Sequence, residues 1–423
     1  MRSPGSTEDQ RPLPAVSARH RSLRYLPPIS GSDRHRSSWN PVAGPVLGLL
    51  FLAIFNPAAA PVPHTPQGPP ETRRSESVAP GVERIEIRRG DFSAGLGPAR
   101  WVVNVLVLDP SRTRLELGRA GDRLAGTETT SSIARRRGAL AATNGGYFRT
   151  DGPYRGEPAG IVVRAGKVLS EPSRRRPGLA VSNKGARTQL GIVDAEVRAE
   201  VVVSKSVRRR IDAINRPRLD DELILFTPEL GSTTMTGPGG VEAIVEGGRV
   251  SDIVEGAGGA AIPRAGWVLS ASGAAAAWAR ANLRRGARLK TRFDVRLDPK
   301  PDFTAEFVVG GGPRLVRGGR PAAGDPGIYG SGFADARHPR TAVGLRADGR
   351  ILLVTVDGRQ PEKSVGMTIA EIADLLIGLG AVEAINMDGG GSTTMVIDGK
   401  VVNSPSDLAG ERPVGDALLV FRR

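Results

Sequence analysis

"ILLVTVDGRQPEKSVGMTIAEIADLLIGLGAVEAINMDGGG", residues 351–391, decides how the fold is read. Residues 351–356 form a near-continuous apolar run, the mark of a strand covered on both faces. Thr368 followed by Glu371 makes a T-x-x-E capping box. Ile369, Ile372, Ala373, Leu376 and Leu379 follow at helical spacing, and Gly378 and Gly380 close the helix. "AVEAINM" (381–387) is the next strand. A strand–helix–strand order predicts two parallel strands joined by a right-handed crossover. Asp357 and Asp388 then each stand one residue past the carboxyl end of a strand. Open α/β sheets build their sites on that edge.

Working outward, "RIEIRRGDF" (84–92) and "ARWVVNVLVLD" (99–109) have strand character. "TSSIARRRGALAATNGGYF" (130–148) reads as a hydroxyl N-cap, a short helix and a strand that stops at Asn144-Gly145-Gly146, a third polar loop expected at the same edge. "AGIVVRAGKVLS" (159–170) is a hairpin signature. Residues 190–300 hold strands such as "ELILFTPELG", "VEAIVEGGRVSDIV" and "RLKTRFDVRL", with one Ala-rich helix around 272–286. The expected fold is therefore α+β. It has a mixed β-sheet core with a parallel strand–helix–strand unit near its carboxyl end. The core's halves, 82–189 and 301–423, are separated by an inserted β-rich subdomain over 190–300.

The amino-terminal part reads differently. "VAGPVLGLLFLAIF" (42–55) follows the basic "RHR" at 34–36 and precedes "NPAAAP", with Ala58 and Ala60 in A-x-A positions. It is short for a spanning helix, which needs about 20 residues, and suits the apolar region of a signal peptide. The long stretch before it implies either a true start downstream of Met1 or an uncleaved anchor. Both place the rest of the chain outside the cytoplasm: secreted or extracytoplasmic, touching a membrane only through 42–55. Residues 1–60 are thus a basic region with a signal peptide or anchor, and 61–81 a Pro-rich linker.

The chain has 423 residues, no cysteine, and a formal charge of +15. Disulfides, thiolate metal sites and cysteine nucleophiles are excluded. The arginines are scattered through loops with few aromatics beside them, so a nucleic-acid interface is not expected. His338 is the only histidine beyond residue 64, which excludes multi-histidine zinc chemistry, and it reads as structural. Acid–base work falls to Asp357, Asp388 and Glu157 in "YRGEPAG". Paired carboxylates without histidine point to glycosyl transfer or a hard-cation site. "DGGGSTT" at 388–394 offers a carboxylate, hydroxyls, and a glycine run whose backbone N–H groups can wrap an anion. Arg340 carries a fork suited to phosphate or carboxylate oxygens. The pentapeptide "GSTTM" recurs at 231–235 without a preceding aspartate or glycine run, and reads there as a strand-end turn.

Five stretches together resemble the phosphodiester glycosidase family: "TNGGYF" (143–148), "RTAVGL" (340–345), "LLVTVDGR" (352–359), "GMTIAEIADLLIGLGAVEAINMDGGGSTTMV" (366–396) and "NSPSD…ERPVGDALLVF" (403–421). The resemblance implies hydrolysis of a sugar linked through C1 to a phosphodiester, releasing the sugar and leaving a phosphomonoester. Asp388, Asp357 and Glu157 become the catalytic candidates. Asn144, Gly145, Gly146, Arg340, Thr341, Gly389, Gly390, Gly391, Ser392 and Thr393 become candidates for substrate contact. The family's animal members carry cysteine-rich modules with no counterpart here. An exported, disulfide-free version is expected to act on sugar-phosphate or glycan polymers of cell walls or capsules. No cofactor is expected to be required, a calcium ion being the one candidate. The alternatives are a non-catalytic module binding anionic polysaccharide, and a calcium-dependent phosphodiesterase. Metal dependence and oligomeric state stay open at this point.

Overall fold

The structure, a computed structural model, describes residues 71–94, 97–172, 176–322, 329 and 332–423. The chain divides into two units, Met1–Pro63 and His64–Arg423, and the described residues belong to the second. The apolar segment 42–55, its flanks and linker residues 61–70 lie outside the described residues. Among those described, no helix is long and apolar enough to cross a membrane.

An eight-stranded sheet runs Glu71–Ala79, Val82–Ala94, Gly97–Leu108, Ile351–Val356, Arg340–Arg346, Ala381–Asn386, Arg314–Arg317 and Arg320–Pro321. This order corrects one expectation. Ile351–Val356 and Ala381–Asn386 run in the same direction but do not pair, because Arg340–Arg346 lies between them, antiparallel to both. The reason is local. "RTAVGLRADGRILLVTV" is a hairpin folded at Gly349, whose φ of 81° suits the turn. That hairpin occupies one edge of Ile351–Val356, and Gly97–Leu108 occupies the other. The connecting helix must then carry the chain over one strand. The core sheet is antiparallel throughout rather than mixed. Among the described residues the one parallel pair, Ala213–Ile214 with Leu223–Phe226, belongs to another sheet.

The helix Ile369–Gly378 starts with the predicted capping box: Thr368 N donates to Glu371 Oε2 at 2.9 Å, and Glu371 N to Thr368 Oγ1 at 3.1 Å. It buries Ile372, Ala373 and Leu376 in a cluster with Val105, Leu352, Val354, Ala342 and Ala384 on one face of the sheet. Each large apolar side chain so buried stabilises by roughly 1.5–3 kcal/mol. Leu106, Val343, Leu353 and Ile385, the alternate positions, point to the other face. There they meet Met395, Leu418 and Val420 of a five-stranded sheet ordered Lys400–Val401, Met395–Ile397, Ala141–Asn144, Asp416–Arg422, Thr113–Arg119. Two sheets packed in this way bring their strand ends to a shared rim.

Residues 71–79 differ from the linker reading. They form a strand antiparallel to Val82–Ala94, folded back at Pro80-Gly81, with Gly81 at φ 82°. The strand is polar because its side chains are mostly exposed, and its charges pair across the ladder: Arg89 with Glu71 and Arg84 with Glu76. Within 190–300, Ala213–Ile214, Leu223–Phe226, Val241–Glu246, Arg249–Glu255 and Gly266–Ala271 make a five-stranded sheet of their own. Gln189–Val202 and Lys290–Asp298 join a seven-stranded sheet with Pro177–Ser182 and Phe307–Gly310.

Candidate active site

Ile351–Val356 and Ala381–Asn386 end at one sheet edge, and the antiparallel Arg340–Arg346 begins there, with Arg340 opposite Val356. That register gathers Arg340, Asp357 and Asp388. Asn144 ends a strand of the facing sheet and joins them directly. Its Nδ2 donates to the Asp388 carbonyl at 2.7 Å, and its Oδ1 accepts from Thr341 Oγ1 at 2.7 Å and from Thr394 N at 3.1 Å. Asp388 N in turn donates to Gly145 O at 3.1 Å. The NGG loop, the start of the RTAVG strand and the DGGG loop thus form one network.

Arg340 is 1% exposed. Nε donates to Met367 O at 2.8 Å, and Nη2 to Phe333 O and Ala336 O at 2.8 and 3.0 Å. Its charge lies over the Phe333 ring, 4.8 Å from the centroid. Burial lowers its pKa to about 10. Among the described residues no carboxylate pairs with it; Glu371, whose charge reaches it, is bound by Arg337 at 2.7 Å. Carbonyl dipoles and an aromatic face stabilise this buried cation, and its charge has no counter-ion in contact among the described residues. Arg359 adds a second charge beside it. It is exposed, sits at φ 60°, and its field depresses the pKa values of both Arg340 and His338. His338 itself is pinned through its backbone to Met367, and burial is the main reason its pKa falls.

The aspartates differ. Asp357 is 1% exposed; Oδ1 accepts from Asn403 Nδ2 at 3.0 Å and Ser404 N at 2.9 Å. Oδ2 is buried without a hydrogen bond, 4.0 Å from Lys363 Nζ, and burial raises the carboxyl's pKa. Asp388 is half-buried, and Oδ1 accepts from Gly389 N at 2.9 Å. Desolvation pushes its pKa up to about 6, against the pull of Ser392, Gly389 and Arg412. The Ser392 hydroxyl lies close by, yet its geometry satisfies no hydrogen bond. Thr393 Oγ1 and Thr394 Oγ1 are likewise buried without partners. Orphan hydroxyls at such a rim mark where a polar ligand or water would bind.

The glycine run does something other than expected. Gly389 N is taken by Asp388 Oδ1, Gly390 N by Pro339 O, Ser392 N by Gly389 O and Thr393 N by Gly390 O. Those four N–H groups are committed to protein acceptors, three within the loop and one at Pro339, and do not form an open anion nest. What the glycines provide is room. A Cβ on Gly389 would meet Pro339 O at 2.8 Å, one on Gly390 the Arg359 Nη2 at 2.9 Å, and one on Gly391 the Arg412 Nη2 and Asp407 Oδ1 at 2.2 Å each. Side chains with charges close over this loop because it has none.

Among the described residues Glu157 makes no hydrogen bond or ion pair to Arg340, Asp357 or Asp388. It is 5% exposed, pairs with Arg149 at 3.0 Å, and feels the charges of Glu171 and Arg216; burial outweighs the half-exposed Arg149 and raises its pKa to about 7. The second "GSTTM" also lies elsewhere, where Thr234 O accepts from Tyr154 OH. An open cleft of about 2110 Å³ contains none of the predicted site residues; its walls include Glu171, Arg314 and Tyr329. Arg340, Asp357, Asp388 and the unpartnered hydroxyls of Ser392, Thr393 and Thr394 gather at the strand ends, and none of them lines this cleft. Among the described residues no group of three or more His, Cys, Asp or Glu side chains is arranged to hold a metal ion.

Sequence reasoning missed Asp416. It is 5% exposed, its Oδ1 accepts from Gly146 N at 2.7 Å, and burial followed by other influences, Asp388 among them, sets its pKa at about 6. A Cβ on Gly145 would stand 2.1 Å from that same oxygen. Asp416 begins a strand rather than ending one, so a search of carboxyl ends passes over it. "VGDALLVF", an acid directly before an apolar run, was the available signal. Tyr147, whose hydroxyl donates to Gly312 O at 2.7 Å and accepts from Asn386 Nδ2 at 2.8 Å, completes the wall.

The phosphodiester glycosidase family model matches residues 239–421. Bovine N-acetylglucosamine-1-phosphodiester alpha-N-acetylglucosaminidase is 40% identical over 75 residues, 18% of this chain and 14% of that protein. A prophage-derived uncharacterised protein of Bacillus subtilis, YomE, is 40% identical over 86 residues, 20% of this chain and 13% of the relative. These matches span about a seventh of the relatives' own length. The crystal structure of a Burkholderia pseudomallei protein described as exported superposes with a TM-score of 0.73 at 27% identity, covering 85% of this chain and 98% of that one. A Synechocystis structure at 22% identity, with a TM-score of 0.70 and coverage of 84% and 64%, shares the fold.

Proposed function

We propose that this chain, whose residues 239–421 carry a phosphodiester glycosidase domain, hydrolyses sugar-1-phosphodiesters, freeing the sugar and leaving a phosphomonoester. The observation that carries the reading is the buried, carboxylate-free guanidinium of Arg340 on the same strand-end rim as Asp388. A phosphodiester needs a cation for its charge, and its sugar carbon needs a carboxylate. The C1–O bond breaks with its electron pair going to the phosphate oxygen. Water adds its hydroxyl to C1, and its proton is taken up by a carboxylate or by solvent. Phosphate is a good leaving group, so protonation of the departing oxygen matters less than anion binding.

Arg340 and the exposed Arg359 bind the phosphoryl oxygens in this reading. Asp388, the more open aspartate, acts at C1 as nucleophile or base. Asp357 holds the Asn403–Ser404 turn through one oxygen, and its other oxygen, which has no hydrogen bond, is the acceptor assigned to the substrate in this reading. Asn144 and Thr341 fix the loop that carries Asp388. The N-acetylglucosamine linkage cleaved by the bovine relative, to judge by its name, is the first substrate to try. Exported cell-wall or capsule glycans are the proposed natural class.

The test incubates the purified full chain with UDP-N-acetylglucosamine and related sugar-1-phosphodiesters and identifies the products. Free sugar with an intact phosphomonoester supports the reading. Sugar phosphate as product, or Asp388→Asn within about threefold of the wild-type rate, refutes it, because a carboxylate acting at C1 matters far more than that.

A further inference from the structure

Two outer edges flank the distal half of Gln189–Val202: Arg208–Ile211 on one side and Lys290–Asp298 on the other. They are built differently. The first presents Arg208-Arg209-Arg210, one sign throughout, which repels a second copy of itself. Lys290–Asp298, "KTRFDVRLD", pairs with residues 194–202 without a register shift. It has no bulge and no proline, and among the described residues no strand pairs with its outer edge. Most of its side chains are exposed, including Phe293 at 40% and Val295 at 37%. A long, regular edge without bulge or proline, carrying apolar side chains and charges of both signs, can template a strand whose charges complement its own.

The charges show which strand. Arg292, Asp294, Arg296 and Asp298 share one face and alternate in sign, and Asp294 stands 3.2 Å from Arg296 along its own strand. Set this strand against an antiparallel copy centred on Val295. Arg292 then faces Asp298, Asp294 faces Arg296, Phe293 faces Leu297 and Val295 faces itself. Both faces are complementary in one register. Centring on Asp294 opposes Arg292 to Arg296 and Asp294 to itself, while centring on Arg296 opposes Asp294 to Asp298. Centring on Phe293 opposes Lys290 to Arg296. Like charges directly opposite destabilise a ladder, so the Val295 register wins. We propose that the outer edge of Lys290–Asp298 is a two-fold homodimer seam, in which residues 292–298 of two copies pair antiparallel about Val295 and join their seven-stranded sheets.

The absence of cysteine from the chain makes the test direct. Val295→Cys places one thiol opposite its own copy, where facing Cα atoms stand about 4.5–5.5 Å apart, within disulfide reach. Under mild oxidation the full chain carrying Val295→Cys should become a covalent dimer. Leu219→Cys, at another exposed position, should not. Sedimentation equilibrium should show a dimer for wild type and at least tenfold weaker association for Asp294→Arg. The double variant Asp294→Arg/Arg296→Asp, which restores opposite pairs in the same register, should regain the dimer. All four positions are solvent-facing, and unchanged circular dichroism spectra confirm folding. A monomeric wild type overturns the proposal. So does a dimer indifferent to Asp294→Arg, or equal cross-linking of the two cysteine variants.

Discussion

Thr341 donates a 2.7 Å hydrogen bond to Asn144 Oδ1, and Asn144 passes the tie on through a 2.7 Å bond from Nδ2 to the Asp388 carbonyl. One buried amide therefore joins a strand start in one sheet, a strand end in the other and the loop carrying Asp388. Asn144→Ala leaves the Thr341 hydroxyl, the Thr394 N–H and the Asp388 carbonyl unpaired together. With each such group costing about 1–3 kcal/mol and the costs overlapping, urea denaturation should show a loss of roughly 3 kcal/mol. Thr341→Val removes one donor and should cost about 1 kcal/mol. Equal costs for the two variants would show that Asn144 is not the hub.

Arg340 spends Nε and Nη2 on three carbonyls, in positions that a lysine ammonium cannot span at once. Arg340→Lys keeps a charge but loses its placement. Inorganic phosphate should raise the melting temperature of wild type, by the stabilisation that any ligand of the native state confers, and should leave Arg340→Lys nearly unmoved. The variant's KM should rise at least tenfold. A phosphate response equal to that of wild type would remove Arg340 from the anion site.

Asp416 gives a pH dependence with a definite sign. Burial, the main cause, raises its pKa from 3.8 to about 6. The native state therefore holds this proton more tightly than the unfolded chain does. The stability linked to it is fully present below pH 3.8 and is lost as pH rises through about 6. Asp416→Asn keeps an acceptor for Gly146 N–H and removes the titration. Its stability should fall less between pH 4 and 7, by up to roughly 3 kcal/mol. Coulomb repulsion between Asp416 and Asp388 is mutual, so the same variant should lower the apparent pKa of Asp388 in the pH–rate profile. Parallel stability curves for the two proteins would refute the assignment.

Much of this was legible from residues 351–391. The capping box, the helical spacing and the strand ends at Asp357 and Asp388 rest on local rules, and the structure has each of them. The pairing partner was not local. Whether two strands in one direction touch depends on what else claims their edges, and here the hairpin from Arg340 claims both. Once the sheet is antiparallel, residues that begin strands share the rim with residues that end them. This is how Arg340 and Asp416 reach it, and why a rule about carboxyl ends could supply only half of the charges. The glycine run drew notice for its N–H groups, yet its role is clearance for Arg359, Arg412 and Asp407, which no single segment displays.

That clearance can be tested at Gly391. An added Cβ would lie 2.2 Å from both Arg412 Nη2 and Asp407 Oδ1, so one of these must move, and their two bonds of 2.7 and 3.0 Å must break. Both are side-chain ends with some access to solvent, and an exposed pair contributes only about 0–1 kcal/mol. The stability cost of Gly391→Ala should therefore be modest, about 1–2 kcal/mol. Its chemical effect should be larger. Arg412 favours the ionised form of Asp388, so displacing it should raise the carboxyl's pKa further and shift the acid limb of the pH–rate profile upward. Gly389→Ala differs, because its Cβ meets the Pro339 carbonyl at 2.8 Å, and that oxygen also accepts from Gly390 N. Backbone on a packed rim cannot swing aside, so this variant should lose more stability than Gly391→Ala in thermal unfolding. If Gly391→Ala leaves the pH–rate profile unmoved while losing stability, the Arg412–Asp407 pair supports the loop and does not tune Asp388.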